Sequence, residues 1–226
     1  MNWLTELIEN PVITNALPEA LVETLQMVAI SGVLTVLIGG ALGVILHVTS
    51  PAGLRPVRWL NALLSAVVVN ITRSIPYAIL MLALIPFTQG LVGTAIGPIA
   101  ACVSLTIATV PFFARLVETS LREVPSGTVD AARVMGSTRG QIIRKVMLPE
   151  AMPGLVASVT TTLVTLVGYS AMAGLIGGGG LGRLAYNYGY QRFDPGVMLV
   201  IIVIIVLLVQ LIQWIGDLII RRVDHR

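Results

Sequence analysis

The chain has 226 residues, of which 56% are apolar and only 11% are charged, and its mean hydropathy is +0.92. A water-soluble globular protein carries about 25% charged residues, so this composition excludes that class and predicts an all-α integral membrane protein. The net charge of +3 is less informative than the positions of Lys and Arg. The single cysteine, Cys102, excludes an intrachain disulfide. His47 and His225 lie far apart without ligand-spaced companions, so no metal site is expected.

The first predicted span follows an acidic stretch. Residues 1–20 contain three Glu and no basic residue, and we expect them to form an extracytoplasmic tail. Residues 24–46 are uncharged, which is enough helix to cross a hydrocarbon core of ~30 Å. The first span is therefore expected at about residues 21–48.

The next two spans share a long uncharged run. Residues 74–114 contain no charge, which is too long for one crossing, and Pro86 with the glycines after it divides the run. The second span is expected at about residues 58–86, with Arg73 at mid-depth and Pro76 just beyond. The third span is expected at about residues 96–118.

Two further spans follow a polar interval, and the five spans form one domain over residues 21–216. The fourth span, about residues 151–177, ends at four glycines, 177–180, which we interpret as a flexible end because no Lys-Ser/Thr pair follows to make a phosphate loop. A polar, aromatic loop is expected at residues 183–194 before the fifth span, about residues 195–218. A basic tail, residues 219–226, ends the sequence.

The basic residues predict the orientation in the membrane. If the N-terminus is outside, only Arg183 and Arg192 lie outside. Eleven basic residues then lie inside: Arg55, Arg58, Arg115, Arg122, Arg133, Arg139, Arg144, Lys145, Arg221, Arg222 and Arg226. This positive-inside bias predicts an outer N-terminus and a cytoplasmic C-terminus.

The longest polar interval, PSGTVDAARVMGSTRGQIIRKVMLPEAMPG at residues 125–154, is predicted to form two short helices. Ser126 or Thr128 is expected to cap the first helix, and Gly136 to end it in the left-handed conformation. Thr138 and Gln141 have the spacing of a capping box for the second helix, which Pro149 is expected to end. Apolar contacts are expected from Val129, Ala132, Val134 and Met135 in the first helix and from Ile142, Ile143, Val146 and Met147 in the second. Physical chemistry alone favours a membrane-surface location over a partner's groove.

Seven residues of this interval follow the spacing of the EAA loop, which is the signature of permease subunits in ABC importers. They are Asp130, Ala131, Ala132, Gly136, Val146, Leu148 and Pro149. Asp130 replaces the usual Glu, and Val146 replaces the usual Ile. The resemblance implies a type I ABC importer permease in which this loop, residues 125–149, is a cytoplasmic coupling helix between the third and fourth spans. It would bind in a cleft of a separate ATPase subunit.

Other segments resemble the methionine-importer branch of this family. They are NITRSIP at residues 70–76, LVGYSAM at residues 166–172, and GGLG at residues 179–182 followed by Tyr186 and by YGY at residues 188–190. This resemblance implies a multi-pass protein of the bacterial inner membrane. It also implies three kinds of protein partner: a second copy of the chain, two ATPase subunits and an extracytoplasmic substrate-binding lipoprotein. ATP and Mg would bind to the ATPase, and no cofactor to this chain.

Residues on the fourth span are candidates for a transport pathway. Thr161, Thr165, Gly168 and Met172 lie on one helical face, and Tyr169 lies beside it. The same spacing is typical of helix–helix packing, so both interpretations stay open.

Arg73 also has two interpretations, since a charge at mid-depth needs a partner or water. The carbonyl of Thr72 and the side chain of Asn70 could accept hydrogen bonds from its guanidinium. Alternatively, Arg73 could line the pathway and bind a substrate carboxylate.

Three functions compete. The first is the permease of an ATP-driven methionine importer. The second is a permease for another small polar solute, and the third is an ion-driven transporter or channel. No catalytic constellation and no Walker A sequence is present, so we do not expect an enzyme, and we expect no nucleic-acid partner.

Overall fold

The computed structural model describes residues 10–224, and within this range the chain forms helices and connecting turns with no strand. The predictions for residues 1–9, His225 and Arg226 lie outside it. The described helices, in chain order, are α1 Val12–Thr49, α2 Arg58–Ser74, α3 Tyr77–Ala83, α4 Ile85–Val92, α5 Pro98–Arg122, α6 Ser126–Val134, α7 (Arg139–Ile142, Ile143–Met147 and Leu148–Glu150), α8 Met152–Gly178, α9 (Gly180–Leu184 and Ala185–Tyr190) and α10 Pro195–Val223.

Four described helices, α1, α5, α8 and α10, are long and apolar enough to cross a membrane, and the bent pair α2–α3 would make a fifth span. These helices correspond to the five predicted spans, with shifted ends. Helix α1 already begins at Val12, so the described second half of the predicted tail is helical. Helices α5 and α10 extend to Arg122 and Val223, beyond the predicted ends of their spans.

The second predicted span is not one continuous helix. Helix α2 ends at Ser74, and Ile75 is extended, with φ −87° and ψ 123°. A residue that precedes proline is pushed out of the helical region by the proline ring, and Pro76 follows Ile75. The bent pair α2–α3 ends at Ala83, near the predicted end at Pro86. Pro86 itself lies in the first turn of α4, where its missing N–H costs nothing.

The chain divides into two compact units. The first contains residues up to Val33, Pro76–Ala108 and Leu163–Ile212, and the second contains Leu34–Ile75, Thr109–Thr162 and the residues from Gln213. The first unit has a buried core that includes Met27, Tyr77, Leu105 and Leu166. The second unit has a buried core that includes Phe113, Leu121, Ala132, Ile142 and Met147.

The glycines at the junction of α8 and α9 form a tight turn, and the flexibility of this end stays a prediction. Gly177, Gly179 and Gly180 have φ values of 97°, 86° and 72°, which glycine adopts without steric cost. The carboxylate of Glu23 accepts a hydrogen bond from the Gly180 N–H at 2.6 Å, and the Thr24 hydroxyl accepts one from the Leu181 N–H at 2.9 Å. A carboxylate therefore satisfies a donor at the positive end of α9.

Helix α9 occupies much of the segment that was predicted as a polar loop. Its buried face includes Leu181 and Leu184, which pack with Ala20, Val197 and Ile201. The apolar residues recur at helical spacing among polar and aromatic ones, and the burial of this face explains why the segment is helical.

Candidate functional site

Helix α6 begins directly after Pro125. Pro125 has an extended ψ of 129°, and no side chain caps the helix. The prediction that Ser126 or Thr128 caps it is therefore wrong, because Ser126 is already the first helical residue and no side chain accepts from the first N–H groups. The first turn is closed by a backbone bond, in which the Thr128 N–H donates to the Pro125 carbonyl at 3.2 Å.

The end of α6 confirms the prediction for Gly136, which has φ +77°. The Gly136 N–H donates to the Arg133 carbonyl at 2.9 Å, and the Ser137 N–H donates to the Ala132 carbonyl at 3.1 Å. These two bonds make a Schellman motif, in which a left-handed residue satisfies the last carbonyls of a helix. The preference for glycine here comes from the left-handed backbone and not from packing, because the space where a Cβ would lie is open.

The start of α7 confirms the predicted capping box. The Thr138 hydroxyl accepts from the Gln141 N–H at 3.4 Å, and the Gln141 side chain accepts from the Thr138 N–H at 2.8 Å. Two donors at the start of α7 are therefore satisfied by side chains.

Pro149 does not end α7, contrary to the prediction. The helix widens into a π-helical turn at Ile143–Met147 and continues through Leu148–Glu150. The Leu148 N–H bonds to the Ile143 carbonyl, five residues back. A proline in a regular α-helix removes a hydrogen bond and clashes with the preceding turn, and wider turns are a known way to relieve such conflicts.

The inward faces of α6 and α7 pack on α5. Ala132, Ile142 and Met147 are buried against a cluster that includes Phe113 and Leu121. Val129, Ile143 and Val146 pack around it, as predicted. The EAA-spaced residue Ala132 is only 2% exposed, so it supports the loop from inside the chain.

The outward side of α6 ends in two exposed apolar side chains. Val134 is 89% exposed and Met135 is 77% exposed, so their predicted apolar contacts are not made within this chain. Among the other EAA-spaced residues, Asp130, Ala131, Gly136 and Pro149 are exposed, and Val146 and Leu148 are partly buried. Asp130 forms an exposed ion pair with Arg133 at 3.0 Å. The motif therefore combines residues that support the loop with residues that are free to contact a partner.

Glu118, near the end of α5, is a site residue that the sequence analysis did not identify. Its carboxylate, 4% exposed, accepts from Arg115 and from Arg122, each at 2.6 Å. Arg122 also lines a cavity of about 210 Å³ beside α6, together with Asp130 and Arg133. The spacing Arg-x-x-Glu-x-x-x-Arg is a visible signal, because residues three and four apart are neighbours on a helix.

The predicted pathway face of α8 is not covered by its own chain over the described residues. Thr161, Gly168 and Met172 are exposed, Thr165 is partly buried, and the space around Gly168 is open. Helix packing within this chain therefore does not explain the Thr and Gly spacing.

Tyr169 differs from these residues, because it packs inside the chain. Its ring stacks on that of Tyr77, with ring centres 4.4 Å apart and the planes nearly parallel. The Tyr77 hydroxyl in turn makes a hydrogen bond of 3.2 Å with Ser104. Tyr169 is partly buried and packs against the core of the first unit.

The predicted hydrogen-bond partners of Arg73 are not found among the described contacts. The Thr72 carbonyl accepts from the Ile75 N–H at 3.3 Å, and no described bond joins the guanidinium to Asn70. Instead, the guanidinium lies over the ring of Phe112, 5.7 Å from its centre. A cation over an aromatic face is stabilised by the ring quadrupole, although only modestly when exposed.

The model of the family of binding-protein-dependent transport system inner membrane components matches residues 39–225. The probable D-methionine transport system permease protein MetI of Vibrio cholerae is 55% identical over 204 residues, which are 90% of each chain. The methionine import system permease protein MetP of Bacillus subtilis is 47% identical over 182 residues, 80% of this chain and 82% of that one.

Two inward-facing crystal forms of the MetNI methionine ABC transporter have the same fold. The native form has a TM-score of 0.93 at 48% identity and covers 96% of this chain and 100% of the matched chain. The selenomethionine-soak form has a TM-score of 0.88 at 51% identity, covering 90% and 94%. The predicted all-α, type I ABC permease fold and the resemblance to methionine-importer permeases are confirmed. The chain belongs to the family of binding-protein-dependent transport system inner membrane components.

Proposed function

We propose that this chain is the membrane-spanning permease subunit of an ATP-driven importer that moves methionine across the bacterial inner membrane. The observation that carries this proposal is the identity of 55% and 47%, over most of the chain, to relatives named as methionine permeases. A permease for another small polar solute is the second candidate, because the substrate is named by the relatives and not by a bound ligand.

The working unit in this proposal is two copies of the permease with two ATPase subunits that bind ATP and Mg, served by an extracytoplasmic binding lipoprotein. The absence of a Walker A sequence supports a separate source of energy. The eleven-to-two distribution of Lys and Arg supports an outer N-terminus and a cytoplasmic EAA loop.

Coupling is assigned to α6 and α7. The exposed side chains of Val134 and Met135 would enter the ATPase cleft, where burial of apolar surface stabilises contact by about 25 cal/mol per Å². Packing of Ala132 and Ile142 on α5 would transmit the movement of the loop to the spans. ATP binding would close the ATPase dimer, draw the two loops together and change the pathway from inward-facing to outward-facing.

The exposed face of α8 is the proposed pathway surface. Thr161 and Thr165 offer hydroxyls, and Met172 offers a soft apolar contact that suits a thioether. Arg73 remains a pathway candidate, since its exposed guanidinium has no described carboxylate partner.

The test is uptake of labelled L-methionine and D-methionine by the permease–ATPase complex in proteoliposomes, with the binding protein outside and ATP inside. We expect uptake that requires ATP and the binding protein. A complex whose ATPase carries an inactivated Walker B Glu is the matched control. Uptake without ATP would contradict the importer, and ATP-driven uptake of a different solute with none of methionine would favour the second candidate.

A further inference from the structure

A cavity of about 210 Å³ lies between the first turns of α1 and helix α9, both in the first unit. Its floor is apolar and small, with Ala16, Ala20 and Leu184. Its rim is polar, with Glu19, Arg183 and Asn187. The volume is far above the ~10–15 Å³ that admits a single water molecule.

The cavity is built from two facing helical stripes. Ala16, Glu19 and Ala20 have i, i+3, i+4 spacing on α1, and Gly180, Arg183 and Asn187 recur on α9 at i, i+3, i+7. The two alanines leave the space that longer side chains would fill. Tyr188 closes one side, and the guanidinium of Arg192 lies 4.4 Å from the centre of its ring, which restrains the ring.

The rim carries two opposite charges with unused bonding capacity. The Glu19 carboxylate has no hydrogen bond or ion pair to any described residue. Arg183 is 47% exposed, and its ion pair with Glu23 is long, at 3.6 Å. Only Nη2 of the guanidinium takes part in this ion pair, so the Nε and Nη1 donors of Arg183 have no partner among the described residues.

We propose that this cavity binds a small zwitterion with a primary ammonium group and an oxyanion. The ammonium pairs with the carboxylate of Glu19, and the oxyanion pairs with Arg183, with Asn187 as an additional polar partner. The apolar floor accepts a short aliphatic part. Two sources supply this chemistry: a free amino acid, and the headgroup of an ethanolamine phospholipid. The inference does not depend on which solute the permease transports.

The test uses the assembled permease–ATPase complex in nanodiscs. In the lipid arm, discs contain phosphatidylglycerol with either phosphatidylethanolamine or phosphatidylcholine, and native mass spectrometry counts the lipids that remain bound. Phosphatidylcholine is the matched control, because its quaternary ammonium has no N–H donor. In the amino-acid arm, L-methionine and L-alanine are titrated by calorimetry into discs without phosphatidylethanolamine.

The discriminating variants are Glu19→Gln, which removes the charge, and Ala16→Leu, which fills the floor without changing charge. Glu123→Gln is the control, because Glu123 is an exposed acid in the other unit. We expect Glu19→Gln to weaken binding in one arm about tenfold, as loss of a charge-assisted bond does. Ala16→Leu should weaken binding in the same arm by filling the floor, and the control should change neither arm. The arm that responds identifies the source. If neither arm responds to either cavity variant, the proposal is overturned, whether or not ATP-driven uptake is observed.

Discussion

Two nearby residues of α6, Ala132 and Val134, differ in exposure, and this difference decides whether each packs inside the chain or is free to contact a partner. Ala132 is buried and Val134 is almost fully exposed, although only one residue separates them. The hydrophobic pattern could not distinguish them, because it identifies apolar residues and not the neighbours that bury them. Ala132 is one of the EAA-spaced residues, so an added charge at this position would be expected to block docking. A charge there would instead be buried in the permease itself, so it would damage the loop and would not report on the ATPase.

Gly136 is the residue whose backbone requirement is clearest. Gly136→Ala adds a Cβ at φ +77°, where the space is open, so the cost is conformational and amounts to about 1 kcal/mol. We expect the melting temperature of the complex to fall by about 2–4 °C if the loop unfolds with the rest of the chain.

Two controls accompany this variant. Gly136→Asn should lose less stability, because Asn tolerates the left-handed region, and Gly140→Ala should lose none, because Gly140 is helical with open space around it. Equal losses for Gly136→Ala and Gly136→Asn would contradict the conformational explanation.

Glu118 is the residue on which two cations depend. Glu118→Ala removes the acceptor of Arg115 and Arg122. We expect the free energy of unfolding of the complex to fall by about 1.5–3 kcal/mol, the range for hydrogen bonds to charged groups. Thermal unfolding followed by intrinsic fluorescence measures this loss. Glu123→Ala, which removes an exposed acid five residues later, is the control. A loss of the same size in the control would show that removing any nearby acid lowers stability, and that the two ion pairs of Glu118 are not responsible.

At the scale of elements, the sequence predicted the end of a helix correctly where the residues that cap it are close to it in sequence. The capping box of Thr138 and Gln141 and the glycine end of α6 are such cases. A contact with a distant group was not predicted. The glycines at 177–180 are held in their turn by Glu23, which is 157 residues from Gly180, and nothing in the sequence beside them indicates this contact. The prediction for Pro149 was wrong for a local reason, because the helix widens into a π-helical turn directly before the proline.

The end of α6 is the part of the loop that we expect to contact the ATPase. Val134→Asp with Met135→Asp places charges where the proposal expects an apolar contact, so association with the ATPase should weaken about tenfold or more while the permease still folds. Co-purification at graded ATPase concentrations measures this change. Phe193→Asp is a matched control, since Phe193 is equally exposed but lies in the segment proposed to face outside. Undiminished co-purification of the double variant would exclude this end of α6 from the interface.

At the scale of the whole molecule, length and charge distribution predicted the class, the number of spans and an orientation. The orientation is testable with Lys145→Cys and Gln191→Cys, two exposed positions, in a chain where Cys102 is replaced. In intact cells an impermeant maleimide should label position 191 and not position 145, because only the former is proposed to face outside. Permeabilised cells provide the control, in which both should react. The reverse pattern in intact cells would overturn the orientation.

The bond between Glu23 and the Gly180 N–H has a consequence for biosynthesis. At about 5–20 residues per second, the ribosome needs roughly 8–30 s to make the 157 residues that separate the two partners. During that interval the Glu23 carboxylate has neither its amide donor nor Arg183. The newly made α1 is therefore incomplete as a folded element until the fourth span has emerged. A chain that stalls before Gly180 would leave this carboxylate without both of its partners.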